Sequence, residues 1–217
     1  MKPRFITFEG LDGSGKSSHL QTALAWFEQA EIPVLATKEP GGTPLGDAIR
    51  AMFLDPRWGR LDGTVEALLV FASRRQHLLE VVDPALDEGK VVLCDRFTDS
   101  TFAYQGAGRG VPLGLLREAD RLATGGRVPD ETLLFDLPAE VAQERGQGGG
   151  RKAEPGGVDR LDAEGLAFYS RVRQSYLDQA VAEPERFRLI DSSGSCAETE
   201  AQVRRALSEA LASESSR

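Results

Sequence analysis

The chain has little of what stabilises small extracellular or metal-bound folds. Among 217 residues there are two cysteines and two histidines. Cys94 ends an apolar run and reads as a buried reduced thiol, while Cys196 sits among serine and glycine. Neither a disulfide framework nor a metal-ligand spacing can be built from them, which fits a reducing compartment. Basic residues are also short, 26 against 34 acidic, for a net charge of −8. That balance argues against broad nucleic-acid binding, which needs a basic face. Long apolar runs are missing too. None is long enough to span a bilayer, and the N-terminus lacks the apolar stretch of a signal peptide. The expectation is a cytoplasmic protein with neither nucleic acid nor membrane as partner. No internal repeat is found. The length suits one domain, residues 1–217, with enough core to fold alone.

What the chain does have begins at Phe8. The run Phe8-Glu9-Gly10-Leu11-Asp12-Gly13-Ser14-Gly15-Lys16-Ser17 holds the pattern Gly-x-x-x-x-Gly-Lys-Ser. An apolar run (Phe5–Phe8) precedes it, and a helical pattern beginning at Ser18 follows it. Strand, glycine loop and helix N-terminus together make an anion site. Loop N–H groups converge on phosphate oxygens, Lys16 adds charge near the β/γ-phosphates, and Ser17 offers a hydroxyl to Mg²⁺. The bland alternative is a chance glycine turn before a helix. The context favours a nucleoside triphosphate site.

Five apolar runs read as strands: Phe5–Phe8, Pro33–Ala36, Val91–Cys94, Thr132–Phe135 and Phe187–Ile190. Helical stretches separate them at His19–Ala30, Leu45–Phe53, Val65–Leu86, Leu113–Ala123, Ala139–Arg145, Leu166–Val181 and Glu198–Leu211. Uninterrupted apolar strands alternating with helices predict a three-layer α/β fold, a parallel sheet with helices on both faces. In such a fold ligands bind beyond the strand C-termini, where Gly10–Ser17, Glu39–Gly42 and Asp95–Arg96 fall. Residues 145–160 carry six glycines, a proline and four basic residues. They predict a mobile basic flap, about 146–160, the alternative being a disordered linker.

A second motif runs from Leu93 to Gln105. Asp95 suits the hydration shell of Mg²⁺, and Arg96 can fork two hydrogen bonds onto a phosphate. A helical turn from Asp99 onward brings Ser100, Thr101, Tyr104 and Gln105 together, a set suited to a nucleoside. On the stretch Asp62–Leu86, Phe71 and Arg75 are four apart and share a face. A ring beside a guanidinium can stack a base and bond its edge. Taken alone, the pair is better read as a core phenylalanine beside a solvated arginine. His77 and His19 read as surface or capping residues without a catalytic role.

The glycine loop, the turn Glu39-Pro40-Gly41-Gly42-Thr43, the Phe71…Arg74-Arg75 helix and Asp95-Arg96-Phe97…Ser100-Thr101…Tyr104-Gln105 occur together and in order. In this the chain resembles the thymidylate kinase family, from Met1 to about Leu211. The resemblance implies a five-stranded parallel P-loop NTPase fold, a homodimer, and Mg²⁺-dependent transfer from ATP to dTMP. It implies that Gly10, Leu11, Asp12, Gly13, Ser14, Gly15, Lys16, Ser17 and Ser18 meet the ATP phosphates. It puts Arg145 on adenine, with the turn at Ser192 on its edge. Asp12 reaches the acceptor 3′-hydroxyl. Arg50, Phe71, Arg75, Ser100, Thr101, Tyr104 and Gln105 surround the acceptor, with Phe71 stacking thymine, Arg75 on its edge and Tyr104 crowding the 2′ position. Arg96 takes the acceptor phosphate, Ser17 and Asp95 the metal. Arg151 and Arg160 close over the transferring group, although this flap is longer and richer in glycine than the arginine-dense form the family implies.

Other readings of the motifs are a kinase for another nucleotide or a deoxynucleoside, a GTP-dependent switch, and a nucleotide sensor. A switch needs a guanine reader of the Asn-Lys-x-Asp type, which is not found. A sensor has no need of Asp95, Arg96 and a basic flap together.

Overall fold

A computed structural model describes residues 3–146, 161 and 164–212. Five strands, β1 (Arg4–Gly10), β2 (Val34–Lys38), β3 (Val91–Asp95), β4 (Glu131–Asp136) and β5 (Phe187–Asp191), form one sheet in the order β2-β3-β1-β4-β5. All pairings are parallel. The register sets Phe8 beside Asp95 and Gly10 beside Phe135. The expected strands are therefore present, four of them extended by one to three residues, while β2 starts at Val34 instead of Pro33 and runs on to Lys38.

The apolar runs are explained by burial on both faces. Ile6, Phe8, Leu93, Leu133 and Phe135 point one way, onto α1 (Lys16–Gln29) and α9 (Cys196–Ala212), meeting Leu20, Phe27, Val203 and Leu207. Their neighbours Phe5, Val92 and Cys94 point the other way, onto Leu78, Val82 and Phe97. Leu134 joins a further cluster with Phe168, Val172 and Tyr176 of α8 (Leu166–Ala182). Period-two alternation between two apolar layers is what a doubly covered parallel sheet requires.

Local signals set the helix starts. Thr43 caps α2 (Pro44–Leu54) by accepting from the Gly46 N–H at 2.9 Å, with Pro44 at the first position. Asp62 caps α3 (Gly63–His77) through the N–H groups of Thr64 and Val65. The predicted stretch Val65–Leu86 proves not to be uniform: α3 passes through a wide π turn at Leu78–Val82 into α4 (Asp83–Asp87). After β3 the chain forms α5 (Thr98–Thr101) and a second π segment, Phe102–Gly108. The sequence signals only its first turn, because Gly106 and Gly108 obscure the rest. Gly108 is needed there, since a Cβ would lie 2.6 Å from the Phe168 ring. The remaining helices are α6 (Leu113–Thr124) and α7 (Ala139–Arg145). Among the described residues no helix is long and apolar enough to cross a membrane.

Candidate active site

The glycine loop leaves the C-terminal end of β1 and feeds α1. Gly10, Gly13 and Gly15 have φ of +140°, +84° and +83°. At two of them space as well as φ demands glycine. A Cβ on Gly10 would lie 2.4 Å from the Phe135 carbonyl oxygen, and one on Gly13 would lie 2.2 Å from that of Ala142. The loop is thus pressed against β4 and α7. Lys16 is buried and donates to the Leu11 carbonyl at 3.2 Å, with Asp12 Oδ1 at 3.5 Å. Ser14 Oγ is buried without a hydrogen-bond partner, while Ser17 and Ser18 are exposed at the helix start.

The end of β3 stands next to this loop. Ser17 Oγ donates to Asp95 Oδ2 at 2.5 Å, and Asp95 Oδ1 is buried without a partner. A hydroxyl and a half-satisfied carboxylate suit Mg²⁺, which takes few protein oxygens and fills its shell with water and phosphate. No cluster of three His, Cys, Asp or Glu side chains that could hold a metal ion exists among the described residues.

Arg96 follows with φ +73°, one of two non-glycine residues with positive φ among those described. This backbone turn aims its side chain across the loop. Nη2 donates to Asp12 Oδ1 at 2.7 Å and to the Tyr104 hydroxyl at 3.2 Å, and Nη1 to Ser100 Oγ at 2.9 Å and the Tyr176 hydroxyl at 3.2 Å. Burial opposes its charge, but Tyr104, Asp12 and Tyr176 outweigh that and hold the guanidinium firmly protonated. Behind Arg96 lies Glu9, wholly buried. It accepts from the N–H groups of Phe97 and Ser100 and from the hydroxyls of Ser100 and Tyr176. Burial pushes its carboxyl up to about 7, helped by Asp99 and resisted by Arg96.

A cavity opens from Asp12 and Arg96 toward α2 and α3. Arg50, Ser100, Thr101, Tyr104 and Gln105 line it, as expected. Arg50 donates to the Pro40 carbonyl at 3.3 Å, and Gln105 is held by Glu66 at 2.9 Å. The expected pair Phe71 and Arg75 does not line it. Phe71 packs outward against Val111, Leu116 and Ala123, and Arg75 is exposed. Val70 and Arg74 occupy the positions expected of them. Arg74 donates from Nε to Glu39 at 2.7 Å and from Nη2 to Thr101 at 3.0 Å, and its Nη1 is buried without a partner. Its guanidinium lies between the Phe71 and Phe97 rings, at 5.1 and 4.9 Å. Phe53, Leu54 and Val70 supply the apolar wall. The helix phase was readable: Ala67, Val70, Phe71, Arg74 and His77 are the buried positions at helical spacing.

Both histidines are buried, contrary to expectation. His77 bridges Glu39 Oε1 at 2.9 Å and Thr37 Oγ1 at 2.7 Å, and so braces the carboxylate that holds Arg74. His19 stacks on Phe135 behind the glycine loop, and burial lowers its pKa. Arg145 and the turn after β5 do come together: its Nη1 and Nη2 donate to the carbonyls of Ser192 at 2.7 Å and Ser193 at 3.1 Å. Arg151 and Arg160 lie outside the described residues. Sequence reasoning gave no individual role to Glu9, Val70 or Tyr176, and noted Glu39 and Arg74 only as members of the Glu39–Gly42 turn and the Phe71…Arg75 helix.

A family model described as thymidylate kinase matches residues 8–203. A thymidylate kinase of Pseudomonas syringae pv. tomato is 45% identical over 207 residues, covering 95% of this chain and 96% of that protein. One of Paraburkholderia xenovorans is 48% identical over 213 residues, covering 96% and 97%. Among solved structures, a thymidylate kinase from Ehrlichia chaffeensis superposes with a TM-score of 0.75 at 30% identity, covering 96% of this chain and 99% of that one.

Proposed function

The chain belongs to the thymidylate kinase family, and we propose from that premise how its residues move the γ-phosphoryl group of ATP to dTMP, giving dTDP and ADP. The observation that carries the reading is the Asp12–Arg96 ion pair at 2.7 Å. It joins the glycine loop, where ATP phosphates lie, to the cavity that takes the acceptor. Arg96 is the only cavity-lining guanidinium paired to the loop among the described residues, and so receives the acceptor phosphate.

The acceptor oxygen is already anionic, so no strong general base is needed. The protein supplies position and charge neutralisation for in-line transfer. Lys16 and the loop N–H groups, from Gly10 through Ser18, hold the donor phosphates. Ser17 and Asp95 would hold Mg²⁺, which would supply charge neutralisation for the phosphates. Asp12 meets the acceptor 3′-hydroxyl, and Tyr104 lies against its sugar. Arg74 Nη1 donates to the carbonyl edge of thymine, taking the role expected of Arg75. Val70 and Phe53 cover the base face in place of Phe71. Arg145 covers adenine beside Ser192. Arg151 and Arg160 of the flap, about 146–160, close over the transferring group and exclude water.

The same proposal makes the protein a single-domain cytoplasmic homodimer. Leu68, Leu115 and Leu122 are exposed apolar side chains lining a groove between α3 and α6, a face suited to a second copy. Sedimentation at micromolar concentration tests this, and a monomer refutes it.

The deciding experiment measures ADP formation with Mg²⁺-ATP and dTMP, dUMP, UMP, dCMP, dGMP or thymidine. The expected order is dTMP first, dUMP weaker and UMP near background. A preference for another acceptor overturns the cavity assignments, and no acceptor-dependent turnover overturns the enzyme.

A further inference from the structure

Glu9 is the residue whose burial calls most for an explanation. It sits next to the last residue of β1, after Phe8, wholly enclosed, where a carboxylate is costly. Its two oxygens do different things. Oε1 takes two backbone N–H groups, those of Phe97 at 2.7 Å and Ser100 at 3.3 Å. Oε2 takes two hydroxyls, those of Ser100 at 2.6 Å and Tyr176 at 2.9 Å. Those same two hydroxyl oxygens are the acceptors for Arg96 Nη1.

A hydroxyl has one proton and two lone pairs. When Ser100 and Tyr176 give their protons to Glu9, their lone pairs face Arg96. The two hydroxyls also stand 2.8 Å apart, so one proton could pass from one to the other, but the second, turned away from Glu9, would confront the Nη1 donor. We propose that Glu9 is a positioning residue for the acceptor phosphate: its carboxylate sets the direction of the Ser100 and Tyr176 hydroxyls, and through them fixes the guanidinium of Arg96. The inference rests on the reading of Arg96 as the acceptor-phosphate group. The chain joins the two halves of the site by the shortest route, since Gly10 of the donor loop follows Glu9 directly.

A carboxylate that only knitted the fold would do as well or better as an uncharged group. Glu9→Gln separates the two roles. The amide oxygen still accepts from Phe97 and Ser100 N–H, but the amide NH₂ now donates where Oε2 accepted. One hydroxyl proton can then bridge Ser100 and Tyr176, but the other is turned toward Arg96, while the backbone contacts stay.

The test is steady-state kinetics at pH 8 with dTMP and ATP varied separately, plus thermal melting, on Glu9→Gln, Tyr176→Phe, Arg96→Ala and the double variant Glu9→Gln/Arg96→Ala. Glu9→Gln is expected to lower kcat/KM for dTMP by about tenfold to a hundredfold, the scale of one or two misdirected charge-assisted hydrogen bonds. The KM for ATP and the melting temperature are expected not to worsen. Tyr176→Phe moves the same constant less, and Glu9→Gln adds nothing once Arg96 is alanine. An unchanged constant for dTMP in Glu9→Gln, with Arg96→Ala impaired, overturns the inference alone. Equal loss for both substrates with a lower melting point also overturns it, because Glu9 is then structural. An unimpaired Arg96→Ala overturns the Arg96 reading itself. Should Glu9→Gln not fold, Tyr176→Phe decides: an unchanged constant for dTMP refutes the proposal.

Discussion

Arg74 and Glu39 form an ion pair at 2.7 Å in which both side chains are about 1% exposed, and it leaves one guanidinium nitrogen of this cavity-lining residue, Nη1, buried and unpaired. A buried donor without a partner has a free-energy cost of roughly 1–3 kcal/mol until a ligand meets it. Thymine carries a carbonyl at the matching edge. Arg74→Lys keeps a charge for Glu39 but loses the fork. It is expected to lower kcat/KM for dTMP by about tenfold to a hundredfold. Arg75→Ala, on the exposed side of α3, is expected to leave it unchanged. Kinetics on both variants place the base reader at 74 or 75.

The glycine loop tolerates no side chain at Gly13, where φ is +84° and the Ala142 carbonyl stands 2.2 Å from a new Cβ. Gly13→Ala is expected to abolish measurable ATP binding by titration calorimetry and to lower the melting temperature. Gly89 has φ +80° with nothing within 4 Å. Gly89→Ala is expected to cost about 1 kcal/mol of strain with ATP binding intact.

Asp95 keeps one oxygen unpaired and the other on Ser17. Asp95→Asn is expected to raise the Mg²⁺ concentration for half-maximal rate by at least about tenfold, one charge-assisted contact. A Mg²⁺ titration at saturating ATP and dTMP measures it, and an unchanged midpoint removes Asp95 from the metal site.

The Glu9 carboxyl titrates at about 7 in the folded protein against 4.5 for the ordinary side chain. As pH rises from 4.5, the unfolded chain releases this proton first and so binds fewer protons than the native one. The contribution of Glu9 to stability is therefore full below pH 4.5 and is lost as pH rises through 7. The loss is about 3 kcal/mol. Urea unfolding at pH 5 and pH 8 is expected to show a difference that shrinks by about that amount in Glu9→Gln.

Arg151→Ala and Arg160→Ala are expected to lower turnover far more than ATP affinity. An arginine on transition-state charge is worth roughly 10³–10⁵ in rate for this reaction class. Unaltered turnover in both removes the flap from catalysis.

The strands were legible because a sheet covered on both faces needs unbroken apolar runs, and Phe5–Phe8 or Val91–Cys94 have no other use. The donor loop was legible because its glycines are forced locally. Asp95 and Arg96 were legible from their place at a strand end. The acceptor side was less so. Phe71 attracts notice as the aromatic residue, yet its ring turns toward Val111 and Leu116, and the phase is set by Ala67, Val70 and Arg74 together. Glu9 interrupts an apolar strand, but its partners stand up to 167 residues away, and a contact like that with Tyr176 leaves no local trace. His77 looks like a surface residue until Thr37 and Glu39 enclose it.

The π turn at Leu78–Val82 has a bearing on how this sequence can change over generations. An extra residue in a helix normally rotates everything beyond it by about 100°. Lodged in a wide turn, it leaves both flanks facing as before. Upstream, Arg74 keeps its aim at the cavity, and downstream Val82 and Ala85 keep their seats beside Phe5 and Cys94. A one-residue deletion between Leu78 and Val82 should therefore yield an ordinary helix and a working kinase, whereas the same deletion between Val65 and Ser73 should turn the base reader out of its pocket.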